Sequence, residues 1–180
     1  MTHKQFAPIP MIIAFLAATM MILDMLFAKH LNNVAMLTFV AFQSWAMYFM
    51  AGCTIKDGIR VLLGYAGGAA ASIAIIELIG LFTGSMGMNT QIAVPLAVFI
   101  MVIPVIWAER VPMFDFVPAW FVGAGIYFAV ANGGGGVHPE GHLAMAAAVL
   151  ASCAWGLVYG WMTVVLRGRY EASLKKKSAK

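Results

Sequence analysis

Apolar residues run along this chain in long, nearly unbroken stretches, and polar residues are confined to short gaps between them. Six stretches stand out: residues 8–28, 34–52, 61–83, 90–108, 114–131 and 142–166. Each is close to the roughly 20 apolar residues that an α-helix needs to cross a bilayer. None shows the apolar–polar alternation of barrel strands. The pattern predicts an all-α integral membrane protein with six transmembrane helices in a single domain, residues 1–180. The linkers are short, so neighbouring spans are expected to be antiparallel. His3 and Lys4 precede the first stretch as in a signal peptide, but no small-x-small cleavage site follows, and the helix is expected to be retained.

Composition strengthens this picture. Hydrophobic residues make up 63% of the 180 positions and charged residues 10%, and the mean hydropathy is +0.91. A water-facing surface needs more charge than that, which excludes soluble enzymes, DNA-binding domains and secreted disulfide scaffolds. Cys53 and Cys153 form no C-x-x-C pair and read as buried thiols. The net charge of +4 does not point to nucleic acid. Arg167, Arg169, Lys175, Lys176, Lys177 and Lys180 instead form a basic tail, residues 167–180, suited to lipid headgroups. With both termini inside, the inner side carries Lys4, Lys56, Arg60, Arg110 and the tail, and the outer side only Lys29, which predicts a cytoplasmic N-terminus and C-terminus. No GxxxxGK[ST] sequence is present, so the chain carries no ATP-driven engine of its own.

The two halves resemble each other. Phe42, Tyr48 and Phe49 fall 79 positions before Phe121, Tyr127 and Phe128. A shift of 80 places Gly64, Gly68 and Ser72 on Ala144, Ala148 and Ser152. Two inverted three-span repeats are expected, about 8–83 and 90–166, as in many transport proteins. The rows Gly64, Gly68, Ser72 and Ala144, Ala148, Ser152 have the small-xxx-small spacing that lets helix backbones approach closely.

Candidate chemistry is sparse. The second and fifth spans carry aromatic stripes, with Trp45, Tyr48, Trp120 and Tyr127 well inside their stretches. Gln43 lies near mid-bilayer, where an amide needs a partner. Two readings stay open for it: a hydrogen bond between helices, or the polar contact of a narrow solute path lined by Gln43, Trp45, Tyr48, Trp120 and Tyr127. Asp24 and Glu77 lie near the outer ends of their spans, and His138 and His142 gather on the same side. These four residues form a candidate outer vestibule, with pH response as one option because His titrates near pH 6.5, or they are helix-end groups reaching water. The segment His138-Pro139-Glu140-Gly141-His142 has ligand types suited to zinc, but its Pro and Gly work against a fixed spacing. No metal and no other cofactor is expected. No catalytic constellation can be assembled at one depth, so no enzymatic role is expected.

The pattern Phe42-x-x-Trp45-x-x-Tyr48-Phe49-x-x-Gly52, the glycine-rich third span, and Pro118-Ala119-Trp120-Phe121 followed by Tyr127-Phe128 resemble the YcdZ-like inner membrane proteins, family DUF1097. The resemblance implies a small bacterial inner-membrane protein and supplies no functional residues. The architecture is also similar to that of the six-span urea and amide channels. The expected function is a channel or facilitator for a small, uncharged solute, with the lipid bilayer and further copies of the chain as partners. The alternatives are an accessory or scaffold subunit of a larger membrane complex, and a proton-coupled small-solute transporter.

Overall fold

In the computed structural model, which describes residues 3–30, 38–133 and 141–178, every regular element is helical. A single turn, α1 (His3–Phe6), leads into α2 (Pro8–His30). Then come α3 (Thr38–Ala51), α4 (Ile55–Gly80), α5 (Thr90–Trp107), α6 (Val117–Ala131) and α7 (His142–Ser178). Among the described residues, four segments are long and apolar enough to cross a membrane: His3–Leu26, Ile55–Ser85, Thr90–Arg110 and His142–Lys176. α3 and α6 have 14 and 15 residues. At 1.5 Å per residue they rise only about 21–23 Å, against a hydrocarbon core of about 30 Å. Four long and two short apolar helices are the makeup of a multi-pass membrane protein.

Local chemistry sets the helix ends. α4 begins at Ile55, six residues before its predicted apolar stretch. The Thr54 hydroxyl accepts the Asp57 amide at 3.1 Å and so caps an otherwise free N–H. Asn89 caps α5 in the same way through the Gln91 amide, at 2.8 Å. After Gly80 the helix widens into one π turn, Leu81–Ser85. The basic tail is not a separate segment, because α7 continues through it to Ser178. Arg167 pairs with Glu171 one turn on, at 2.8 Å, and the Tyr170 hydroxyl donates to the Gln5 carbonyl at 2.8 Å.

The most extensive helix contacts are α4 on α6 and α3 on α7, with α4 and α7 touching between them. α5 lies against α4 and α2 against α7. Val40, Val61, Tyr65, Ala119, Val149 and Cys153 belong to the central core. A flanking cluster joins Leu16, Met20, Trp45 and Tyr159, and another joins Ile75, Phe82, Ala93 and Ala97. One end of the bundle holds the α3–α4 link, the α5–α6 link and the tail, and is called here the tail end. The other holds the ends of α2, α4 and α6 and the start of α7.

Glycines set the closest crossings. A Cβ on Gly68 would lie 2.3 Å from the Trp120 carbonyl oxygen and 2.6 Å from the Ala124 nitrogen, and one on Gly64 would lie 2.5 Å from the Ala119 Cβ. On α7 the matching contact is at Gly156, where a Cβ would lie 2.0 Å from the Ala41 carbonyl oxygen. Ser72 is buried and donates to the carbonyls of Gly68 and Ala124, at 2.9 and 3.2 Å.

The small-residue row of α7 therefore lies further along than the sequence indicates. Ala144 is exposed and Ala148 half-buried, and only Ser152 of that row is buried. The row in closest contact is Ser152, Gly156 and Gly160. At a spacing of 88 positions, buried Val61, Gly64, Tyr65, Gly68, Ala71, Ser72 and Ile75 fall on Val149, Ser152, Cys153, Gly156, Tyr159, Gly160 and Thr163, which are also buried. The cause is loop length. Only residues 52–54 join α3 to α4, whereas residues 132–141 separate α6 from α7, so the matching row falls later in the second half.

Candidate functional site

Polar side chains from three helices meet at the end opposite the tail. His142 opens α7, Glu77 sits in the last turn of α4, and Tyr127 lies near the end of α6. The His142 Nδ1 is 2.7 Å from the Tyr127 hydroxyl, and its Nε2 is 3.4 Å from Glu77 Oε1. The rings of Tyr127 and His142 stack with centroids 6.3 Å apart. Tyr127 is fully buried, whereas the Glu77 side chain is 70% exposed. A neutral imidazole fits this arrangement: the tyrosine O–H donates to Nδ1 and the Nε2–H faces the carboxylate. The donor and acceptor roles at Nδ1 follow the imidazole tautomer, and the contacts tie the start of α7 to α6 and α4.

Asp24 is not part of it. Asp24, on α2, accepts a hydrogen bond from the Thr38 hydroxyl, joining α2 to α3. His138 lies outside the described residues, and with it most of the segment read as a possible zinc site.

The five residues assigned to a solute path do not converge. Gln43 is exposed on the outward face of α3. Trp45 points the other way, 4% exposed, and lies against Phe42 and Tyr159 with ring centroids 5.9 and 5.8 Å away. The Tyr48 hydroxyl donates to the Cys53 carbonyl at 3.0 Å, at the tail end. Trp120 donates its indole N–H to the Phe114 carbonyl at 3.0 Å. Tyr127 belongs to the cluster just described. Within one chain these aromatics fill space and close backbone bonds.

A second polar cluster, at the tail end, is absent from the sequence reading. Arg60 on α4 makes a two-pronged contact with Asp115, Nε to Oδ1 and Nη2 to Oδ2, both at 2.9 Å. It also reaches Asp57 at 3.1 Å and lies 5.8 Å from the centre of the Phe116 ring. Asp115 precedes α6, so the pair clamps the start of α6 to the start of α4. The guanidinium holds the Asp115 carboxyl below the usual carboxylate range. The i, i+3 spacing of Asp57 and Arg60 was readable in advance. The long-range partner, 55 residues away, was not. Tyr65 was also missed: it is fully buried in the core, and its hydroxyl has no hydrogen-bond partner among the described residues.

Fold and site together define a multi-pass helical membrane protein with a polar side-chain cluster at each end of the bundle. The family described as protein of unknown function, DUF1097, matches residues 10–168, and the chain belongs to that family. No curated protein and no solved structure matches the chain.

Proposed function

We propose that the protein is a channel or facilitator for a small, uncharged solute, assembled from several copies of the chain with the path between them. Gln43 carries this reading. It is an exposed amide partway along an apolar helix, and hydrocarbon would leave its donors and acceptor unsatisfied. Facing another copy, it lines a polar seam. The packed centre of the single chain supports a path outside it. Light scattering in mild detergent is expected to show more than one chain per particle. Gln43→Leu should reduce solute-driven swelling of proteoliposomes while the thermal melt stays unchanged. One chain per particle, or unchanged flux for every solute that the parent conducts, would refute the reading. Parent vesicles that swell no faster than empty ones would leave the accessory-subunit reading.

We further infer six spans in two inverted halves, α2–α4 and α5–α7, with both termini in the cytoplasm of a bacterial inner membrane. Three features support this. The contact of α4 with α6 is matched by α7 with α3, and that of α5 with α4 by α2 with α7. Tyr48 and Tyr127, 79 positions apart, each bond to the segment that opens the next helix. Lys4, Lys56, Arg60, Arg110, Arg167 and Arg169 belong to the tail end by their places in the fold, in keeping with the positive-inside rule. A proton-coupled transporter is the second reading, favoured by the Glu77–His142–Tyr127 contacts. Uptake that requires a proton gradient and is lost in His142→Phe would select it.

A further inference from the structure

A lateral cavity of about 230 Å³ lies between α4, α5 and α6. Ala71, Val98, Met101, Trp120, Ala124 and Phe128 are among its lining residues. The Trp120 indole N–H is already bonded to the Phe114 carbonyl, so the lining offers no free side-chain hydrogen-bonding group. Val98 and Phe121 at its edge are 38% and 51% exposed, which opens the cavity towards the outward face of α5 and α6.

The other half of the molecule shows what such a space can hold. Ala124 corresponds to Trp45 at a spacing of 79, and Ala71 to Tyr159 at a spacing of 88. Trp45 and Tyr159 pack against each other and against Leu16 and Met20 of α2. Where that half has two aromatic rings, this half has two methyl groups, and the Trp120 ring, at the position of Ala41, leaves a void beside them. Lining atoms without partners forfeit dispersion contacts, and a polar occupant would lose its hydration without replacement.

We propose that this cavity is a binding site for the acyl chain of a membrane lipid, entering between α5 and α6. The occupant is apolar because every free surface of the site is apolar. It is a lipid tail because the site opens on the face that an apolar multi-pass helix bundle turns to hydrocarbon. The comparison of the halves rests on their inverted relation. The site itself does not, and its test needs neither solute flux nor symmetry.

The test uses the full chain in phosphatidylethanolamine vesicles doped with a phospholipid that carries a photoreactive diazirine in mid-chain. Adducts are mapped by mass spectrometry. The parent should label at Met101, Trp120 or Phe128 as well as at Phe99, which is 67% exposed on α5 and serves as an internal reference. Ala71→Leu and Ala124→Leu, made separately, grow into the cavity. At least one should stay folded by its melt and lose cavity adducts several-fold relative to Phe99. Labelling of Phe99 without the cavity residues, as when another copy seals the site, would overturn the proposal. So would undiminished cavity labelling in both folded variants.

Discussion

Gly68→Ala puts the helix-crossing argument at risk with a single methyl group. The added Cβ would sit 2.3 Å from the Trp120 carbonyl oxygen and 2.6 Å from the Ala124 nitrogen. Both are backbone atoms of α6, so no side-chain rotation relieves the clash and the helices must separate. Overpacking of this kind costs about 1–3 kcal/mol. Separation also stretches the bond from Ser72 to the Ala124 carbonyl, already 3.2 Å long, and bonds between membrane helices average about 0.6 kcal/mol. Alanine's better helix propensity returns at most about 1 kcal/mol. The net expectation is a loss of about 0.6–2.6 kcal/mol. Gly125→Ala is the control, because a Cβ there meets nothing within 4 Å. It should leave stability unchanged or raise it by up to about 1 kcal/mol. Reversible unfolding in mixed detergent micelles, followed by tryptophan fluorescence, measures both. A Gly68→Ala protein as stable as the parent, or two variants with equal losses, would refute the crossing.

Three further outcomes follow from the contacts. Gly156→Ala should cost about 1–3 kcal/mol in the same assay, because its Cβ would meet the Ala41 carbonyl at 2.0 Å, while Ala144→Leu on the exposed start of α7 should stay within about 0.5 kcal/mol; the reverse order would restore the earlier placement of the packing row. Asp115→Asn should lower the melting temperature at neutral pH. Because the Asp115 carboxyl is held below its usual range by Arg60, the pair's contribution is complete above the unfolded value of about 3.9 and is lost as pH falls through the lowered folded value, so parent and variant melts should converge in strong acid. Tyr127→Phe removes the hydroxyl that faces His142 and should cost about 0.5–1.5 kcal/mol; a melt equal to the parent's would mean that the contact holds nothing in place.

Much of the architecture was determined by the sequence alone. Long apolar runs with no water-facing alternative dictate helices, since only internal hydrogen bonding satisfies a backbone in hydrocarbon. The observed α2, α5 and α6 agree with their predicted stretches to within a few residues. The family was legible too, because the aromatic pattern from Phe42 to Gly52 and around Trp120 is a linear feature. Gly64, Gly68 and Ser72 were found because a packing row repeats every four residues along one helix. What crosses between helices could not be read this way. A helix pattern gives a face but not the neighbour it meets, so Gln43 and Trp45, two residues apart, were assigned to one path although they point to opposite sides. Small residues are so common in α7 that a row could be drawn at Ala144 as readily as at Gly156. Only the ten-residue link before α7, acting through the packing of Cys153 and Gly156 on α3, decided between them. The partners of Arg60 and His142 were likewise set in three dimensions, because Asp115, Glu77 and Tyr127 are brought to them by antiparallel packing and by nothing in their sequence spacing.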